Sequence, residues 1–158
     1  MAEHKFIELN VPDNSSKLWW WKEKVSCLDL KPLVSVLSSV TCQQVVDICS
    51  KESYDQLPVI GEGGKISGVV TVGRIMARIV GGHVTTDSCI TEIMYKSFTK
   101  VTQDTTLGEL SRLLDSDHFV IVVLKQLVYT GEKATEQEVA SGIATRIDLL
   151  KFISTSKK

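Results

Sequence analysis

Two places in the sequence combine residue types that can bind a polar ligand. Each ends an apolar segment with the spacing Gly-x-x-Thr-x-x followed by a charged residue, at Gly68–Arg74 and at Gly142–Asp148. A helix that starts just after the threonine presents free backbone N–H groups and a partial positive charge. At the second place, Thr145 can cap that helix or bind a ligand oxygen. Asp148 can accept two hydrogen bonds from a vicinal diol, such as the 2′- and 3′-hydroxyls of a ribose.

The residues alone leave a second interpretation of Asp148 open. Acidic residues are common in the first turn of helices, where they complement the helix dipole and bind nothing. Arg74 occupies the corresponding position of the first place, and its side chain has no hydrogen-bond acceptor. The sequence therefore predicts one competent ribose site rather than two.

The two places close two copies of one helix–strand–strand–helix pattern. In the first copy, Thr41–Gln44 has the spacing of a capping box, which predicts a helix start. Leu57–Ile60 and Ile66–Thr71 have the composition of strands joined by a glycine-rich turn. An apolar stripe then predicts a closing helix that ends at Gly81–Gly82.

The second copy follows the same order of elements. Asp104 or Thr106 is expected to cap its first helix, and Phe119–Leu124 and Val139–Thr145 are its predicted strands. The connection between them is longer than in the first copy, and the charged segment Gln126–Glu138 predicts an exposed hairpin. A final apolar stripe predicts the closing helix.

An α/β fold of two tandem halves follows from this repeat. One half is too small to bury its apolar faces, so we expect the halves to pack face to face with pseudo-twofold symmetry and a cleft on each side. The predicted boundaries are 1–17 for a flexible lead-in, 18–40 for a tryptophan-rich linker and first strand, 41–82 for the first motif, 83–100 for a connecting helix, 101–154 for the second motif and 155–158 for a tail.

Composition and charge exclude several classes of protein. The 158 residues are 43% hydrophobic and 23% charged, which is ordinary for a globular protein. A formal net charge of −1 gives no electrostatic attraction to nucleic acid or to an anionic membrane. The sequence has neither an apolar run long enough to span a bilayer nor a signal peptide. We expect a cytoplasmic protein that binds neither nucleic acid nor membranes.

The cysteine and histidine pattern gives no sign of a metal site or of catalysis. The cysteines are widely spaced, which predicts small buried thiols in a reducing compartment, without disulfides or metal. Nothing in the sequence brings a thiol to His118 as a base, and the sequence has no nucleophile elbow or phosphate-binding loop. We therefore expect no enzymatic activity. The four cysteines are Cys27, Cys42, Cys49 and Cys89.

Three consecutive tryptophans precede the first copy. Trp19–Trp21 cannot all face one side of a helix, so at least one of them is expected to meet a second surface. That surface is part of this domain, a partner, or a part of a longer chain that this sequence lacks.

The tandem halves with their Gly-x-x-Thr-x-x-Asp ending resemble a pair of cystathionine-β-synthase (CBS) motifs, the module that binds adenosine-containing ligands. The similarity extends from about Trp19 to Ile153. It is closer to the C-terminal regulatory domains of eukaryotic cystathionine β-synthases than to the module in general. The segments that carry this closer resemblance are Trp19–Trp21, Tyr54–Val59, Asp104–Gly108 and Asp117–Phe119.

The resemblance implies a regulatory fragment of a longer enzyme. Its family's regulatory domain binds S-adenosylmethionine, which relieves autoinhibition of a separate catalytic core. That core, with its pyridoxal phosphate and haem, is absent from this sequence, so the chain is expected to hold no cofactor of its own. The expected partners are S-adenosylmethionine or another adenosine ligand, the catalytic core of the parent enzyme, and a second copy in a homodimer.

The resemblance also implies which residues contact the ligand. Asp148 would hold the ribose hydroxyls with Thr145 beside it, isoleucines would flank the adenosine, a Pro-Leu pair would form part of the adenine wall, and the segment from Tyr54 would line the methionine end. The implied set is Pro32, Leu33, Tyr54, Asp55, Gln56, Leu57, Ile143, Thr145, Ile147 and Asp148.

The residue types suit a sulfonium better than a polyphosphate. An aromatic face such as Tyr54 and a carboxylate such as Asp55 stabilise a cation, whereas phosphates favour Lys or Arg. Arg146 is the basic residue nearest the second junction, so ATP or AMP stays open as a second choice. Leu57 is bulky enough to narrow the cleft. The competing interpretations are a core aromatic for Tyr54 and a solvated turn residue for Asp55.

A ligand-independent interaction module is the alternative function. In that case the clefts are empty or filled by side chains, and the domain inhibits or assembles its parent enzyme by docking. Met76, Ile79 and Val80, or the closing helix of the second half, would then form a dimer face.

Overall fold

The computed structural model describes residues 18–156, so the predicted lead-in at 1–17 and the last two residues of the tail lie outside the described residues. The part that is described contains four α-helices and two three-stranded sheets. The helices are α1 (Cys42–Glu52), α2 (Val72–Val80), α3 (Leu107–Ser116) and α4 (Arg146–Thr155). The strands are β1 (Val36–Leu37), β2 (Gln56–Ile60), β3 (Ile66–Thr71), β4 (Lys100–Val101), β5 (Phe119–Thr130) and β6 (Lys133–Thr145).

The chain divides into two compact units that are not contiguous in sequence. The first-motif unit comprises Pro32–Phe98 and Leu124–Ser141. The second-motif unit comprises the described residues up to Lys31, Thr99–Val123, and the described residues from Gly142 onwards. The tryptophan-rich segment thus belongs to the unit of the second motif, although it precedes the first motif in the sequence.

The first-motif unit has β2 at the centre of its sheet, as its apolar composition requires. β1 pairs with β2 in parallel, and β3 pairs with β2 antiparallel. The predicted capping box is confirmed, because the Thr41 side chain accepts from the Gln44 amide and the Gln44 side chain accepts from the Thr41 amide. Helices α1 and α2 pack on a core of Val36, Cys42, Val45, Cys49, Leu57, Val59, Val70, Ile75, Ile90 and Ile93.

The second-motif unit repeats this plan. β4 pairs with β5 in parallel, and β6 lies on the other side of β5. Of the two predicted caps for α3, Thr106 is the one used, because its side chain accepts from the Glu109 amide at 3.2 Å. The core consists of Val25, Leu28, Val101, Leu107, Leu110, Leu114, Val120, Val122, Ala144 and Leu149.

Two predictions about connections need correction. The connecting helix expected at 83–100 is wrong, since that segment holds one short 3₁₀ turn, Ile90–Glu92, and otherwise turns and bends. Ile90, Ile93 and Met94 have the i, i+3, i+4 spacing of a helix, but only the single 3₁₀ turn forms there. The hairpin strands of the second copy also extend beyond the predicted ends, up to a turn at Gly131, where φ is +76°. Strand pairing therefore continues after the apolar alternation has stopped.

The cysteines only partly match the expected buried thiols. Cys42 and Cys49 are buried, Cys89 is half-buried and Cys27 is exposed. Among residues 18–156, none of the helices is both long and apolar enough to cross a membrane.

Candidate functional site

At the second junction, β6 ends at Thr145 and α4 begins one residue later. Asp148 Oδ2 accepts hydrogen bonds from the Thr145 backbone N–H at 2.9 Å and from its hydroxyl at 2.8 Å. The Asp148 amide in turn donates to Thr145 Oγ1 at 3.4 Å. The two residues form a capping box, so Asp148 has the structural role that the sequence left open.

The cap leaves part of the Asp148 carboxylate available. A carboxylate has about four acceptor positions on its two oxygens, and the cap uses two positions, both on Oδ2. Oδ1 takes no part in the cap, and the side chain is half-buried at the surface of its unit. The group is held in a fixed orientation and retains an oxygen that can accept from a ligand hydroxyl.

Arg146 is engaged within its own unit. Its Nε donates to the Leu114 carbonyl at 2.6 Å, and Nη2 donates to the Asp115 carbonyl at 3.3 Å. These carbonyls belong to the last turn of α3, where helical acceptors lack intrahelical partners and the dipole is negative. The guanidinium that the sequence offered to a phosphate thus satisfies the end of a helix instead.

The two isoleucines near this junction differ in exposure. Ile143 is half-buried in β6, whereas Ile147 is exposed in the first turn of α4. Their roles beside an adenosine stay predictions.

In the first-motif unit the structure brings Tyr54 and Pro32 together. The Tyr54 hydroxyl donates to the Pro32 carbonyl at 2.5 Å, and the ring packs against the core of the unit. Tyr54 therefore has the core-packing role that the sequence allowed. Asp55 is exposed, and its backbone carbonyl accepts from the Val72 amide at 3.0 Å.

The other predicted site residues of this unit differ in burial. Leu33 and Gln56 are half-buried, and Leu57 is fully buried in the core. The predicted site residues thus form two groups, and the structure assembles each group within its own unit: 32–57 in one, 143–148 in the other.

At the first junction a threonine also caps the helix, but an arginine stands three positions after it. Thr71 Oγ1 accepts from the Arg74 amide at 3.0 Å. The Arg74 side chain turns to the segment after α2, where Nε donates to the Ile93 carbonyl at 2.8 Å and the guanidinium lies 4.4 Å from the Tyr95 ring centroid. The first junction thus has a guanidinium that is already hydrogen-bonded within its unit, at the position where the second junction has a carboxylate.

The contact with Tyr95 was missed from the sequence, although one signal was present. Gly68 lies inside β3, and a Cβ atom there would be 2.4 Å from the Tyr95 carbonyl oxygen. Val69 and Tyr95 exchange backbone hydrogen bonds of 2.9 and 2.8 Å. A glycine within a strand indicates that another backbone approaches closely, but not which one.

The buried thiol of Cys42 does not have the environment of a nucleophile. Burial raises the pKa of the Cys42 thiol, and nearby Glu92 and Cys89 add to that effect, so the reactive thiolate is disfavoured. The Cys89 thiol donates to the Ser38 carbonyl at 3.0 Å. Asp117, next to the exposed His118, accepts from the Thr99 hydroxyl at 2.7 Å, which is a structural contact.

Comparison with known proteins identifies the family. The model of the CBS domain matches residues 25–81, which is the first motif with the segment before it. Cystathionine beta-synthase of Oryctolagus cuniculus is 36% identical over 138 residues, covering 87% of this chain and 25% of the relative. The chain contains a CBS domain at residues 25–81. It spans about a quarter of the length of the curated cystathionine beta-synthases that it matches.

Solved structures show that the fold is a CBS domain pair. A CBS domain pair in complex with 5′-methylthioadenosine and S-adenosyl-L-methionine superposes with a TM-score of 0.68 at 20% identity, covering 85% of this chain and 98% of the other. CbpB in complex with c-di-AMP gives a TM-score of 0.62 at 17% identity, covering 92% and 93%. The predicted α/β fold of two CBS motifs is confirmed.

Proposed function

We propose that this CBS domain pair binds S-adenosylmethionine and thereby regulates a pyridoxal-phosphate-dependent synthase of which it is a part. The observation that carries the proposal is the Asp148 carboxylate, which the capping box orients and leaves with Oδ1 outside the cap. The homology to cystathionine beta-synthases and the adenosine ligands of two structural neighbours support it.

The length of the relatives suggests which part of the parent protein is regulatory and which part is catalytic. The chain corresponds to about a quarter of them, and in this proposal the remainder holds the catalytic core with its pyridoxal phosphate and haem. The CBS pair itself performs no chemistry. Its ligand would act by binding the active state of the parent more tightly than the autoinhibited state, because only differential affinity shifts such an equilibrium.

S-adenosylmethionine is preferred over ATP or AMP on the basis of the charges at the second junction. The Arg146 guanidinium already donates to carbonyls at the end of α3. A polyphosphate at this junction would therefore lie near the carboxylate of Asp148 without a free guanidinium to bind it. A ribose diol needs acceptors, which Asp148 supplies.

Isothermal titration calorimetry of the whole chain with S-adenosylmethionine, ATP and AMP tests the proposal. We expect saturable binding of S-adenosylmethionine. Asp148→Asn keeps an oxygen for the cap but replaces the other carboxylate oxygen with a donor, and it should weaken binding roughly tenfold or more. Asp115→Asn is the matched control, because that exposed side chain lies in the same unit; its affinity should stay within about twofold of wild type.

The other outcomes of the titration separate the alternatives. Binding of ATP or AMP in preference to S-adenosylmethionine would replace the proposed ligand with a nucleotide. The absence of heat with all three ligands, together with unchanged melting temperatures, would overturn the sensor and favour a ligand-independent module. Equal affinity of Asp148→Asn and wild type would remove Asp148 from the site.

A homodimerisation role is the second candidate, and exposed apolar side chains on the closing helices favour it. On α2, Met76 is 66% and Val80 is 77% exposed, and on α4, Ile147 is 60% and Leu150 is 59% exposed. Such apolar surface on a helix commonly marks an interface. Sedimentation equilibrium should show a dimer that Met76→Gln weakens. The same change at the exposed Leu127 of the hairpin is the control.

A further inference from the structure

The segment 19–26, called here the tryptophan segment, caps a helix with its backbone. The Glu23 carbonyl accepts from the Leu107 amide at 2.7 Å, and the Trp21 carbonyl accepts from the Gly108 amide at 2.9 Å. These are the first two amides of α3, which have no acceptor inside the helix. The start of α3 therefore depends on the tryptophan segment.

The backbone pairing between the tryptophan segment and the chain before α3 continues with two more hydrogen bonds. The Val25 amide donates to the Thr105 carbonyl at 2.8 Å, and the Ser26 amide donates to the Gln103 carbonyl at 3.1 Å. Four backbone hydrogen bonds in a row hold a segment far more firmly than one side-chain contact. The tryptophan segment is thus a structural element of the second-motif unit and not a free linker.

Trp21 packs where a side chain is missing from α3. A Cβ atom at Gly108 would be 2.4 Å from an atom of the Trp21 indole ring, so the ring lies directly on the glycine. The guanidinium of Arg112, one turn further along α3, is 5.5 Å from the centre of the same ring system. The half-buried indole thus packs on the first turns of α3.

One of the other two tryptophans contacts the helix that carries Asp148, and the second packs on the core of the same unit. The Trp19 ring centroid is 5.8 Å from that of Phe152, and Trp20 packs against the core that includes Leu149. Phe152 lies four residues after Asp148 on α4, and residues at that spacing are neighbours on one face of a helix. A ligand held by Asp148 would therefore contact α4 one turn away from the residue that holds Trp19.

A second connection joins the same elements. Arg146, in the first turn of α4, binds the carbonyls at the end of α3. The tryptophan segment binds the amides at the beginning of α3. The start of α4 is thus linked to the segment both through Phe152 and through the length of α3.

We propose that the tryptophan segment is the output element of the module: occupancy of the second junction tightens its packing on α3 and α4. This inference rests on the proposed binding of S-adenosylmethionine and assigns the part of the chain that responds to it. A ligand that orders the first turn of α4 reduces the opening of the contacts next to it, and binding and opening are then coupled reciprocally. Tighter contacts would therefore hold residues 19–26 more firmly on α3 and α4.

The sequence provides a selective probe of this segment. The three tryptophans of the whole chain all lie in it, so tryptophan emission reports on the segment alone. The amides of Leu107 and Gly108 report on its backbone, because the segment supplies their acceptors. The Glu109 amide is the internal control, since its acceptor is the Thr106 hydroxyl of the same helix start.

The experiment titrates the whole chain with S-adenosylmethionine while heat, tryptophan emission and amide hydrogen exchange are followed. We expect emission to change with the same saturation as the heat. Exchange at Leu107 and Gly108 should slow by roughly threefold or more, and exchange at Glu109 should change less. Saturable heat with unchanged emission and exchange would overturn the output element and leave the ligand site intact. The absence of heat would overturn both proposals.

A variant supplies the reciprocal test. Phe152→Leu removes the ring that holds Trp19 and should weaken S-adenosylmethionine binding by roughly threefold or more, as linkage requires. Phe119→Leu, the same change at a half-buried position at the start of β5, should leave the affinity unchanged. Equal affinities of Phe152→Leu and wild type would overturn the coupling. If Phe152→Leu does not fold, the exchange measurement on wild type decides.

Discussion

In both motifs the helix that follows the outer strand is capped by a threonine, and the two junctions differ in the residue three positions later. At the first, Arg74 is bound to the Ile93 carbonyl and lies on Tyr95. At the second, Asp148 completes the cap and keeps one oxygen outside it. The same local fold therefore gives one junction whose charged side chain is bound within the unit and one junction that keeps an oxygen able to accept a hydrogen bond. The residue three positions after the threonine makes the difference.

The helices that begin each motif show a further parallel. The first two amides of α1, Cys42 and Gln43, donate to the carbonyls of Ser88 and Thr86, each at 2.9 Å. The corresponding amides of α3 donate to the tryptophan segment. Each cap is followed by a 3₁₀ turn, at Ile90–Glu92 and at Val25–Cys27.

The difference lies in what the capping segments carry. The cap of α1 comes from a polar segment rich in threonine and serine, whereas the cap of α3 brings three indole rings. Both segments satisfy the same backbone groups. Only the second adds a large aromatic surface that also reaches the closing helix of its unit.

The largest expected contrast is between the thiols of the two units. Cys42 and Cys49 are buried in the first-motif core, where burial raises the pKa of both thiols, whereas Cys27 is exposed. Alkylation by iodoacetamide should be slower at the two buried thiols by a factor on the order of 100, because it needs local opening and a thiolate. Mass spectrometry of quenched samples measures the rates. Similar rates at all three would show that the first-motif core is open in solution.

Glycines at the second position of two helices provide the next test. Gly108→Ala should lower the free energy of unfolding by about 2 kcal/mol, because the new methyl group displaces the Trp21 ring. Gly73→Ala in α2 meets no atom within 4 Å and should stabilise by about 0.5–1 kcal/mol. Urea denaturation measures both. A neutral Gly108→Ala would mean that Trp21 does not lie on α3.

The smallest expected effect concerns the caps. Thr71→Val and Thr145→Val each remove a hydroxyl that accepts from a helix amide, and each should cost about 1 kcal/mol. The loss at Thr145 should be the larger of the two, since its hydroxyl also donates to Asp148. Urea denaturation again gives the values. Equal losses would indicate that the hydrogen bond from the Thr145 hydroxyl to Asp148 contributes nothing to the second cap.

Local sequence patterns predicted those structural features that depend on residues close together in the sequence. The Thr41–Gln44 capping box, the strands of the first motif and the start of α4 each follow from a few consecutive side chains, and the structure confirms them. The contacts of Arg74 with Ile93 and Tyr95, and the cap of α3 by Trp21, were not predicted. They join groups that are far apart in the sequence, and where the acceptor is a backbone carbonyl, a residue of any type can supply it.

For the candidate site, the sequence predicted the residue types and the resemblance predicted their roles. Asp148 turned out to serve the helix cap, which the helix-dipole interpretation had anticipated, and Arg146 turned out to bind the end of α3. The partner of Arg146 is not visible in a spacing pattern, because a guanidinium suits a ligand anion and the end of a helix equally well.

The position of the tryptophan segment has a consequence for how the chain folds during synthesis. The segment leaves the ribosome before any strand of the first motif, yet the residues that it caps and packs on follow much later, with Phe152 near the end. Most of the first-motif unit can close while the second motif is still being made, because Pro32–Phe98 is continuous. Trp21 stays unpacked until α3 emerges, and Trp19 until the last helix does, so indole rings are exposed to aggregation during synthesis.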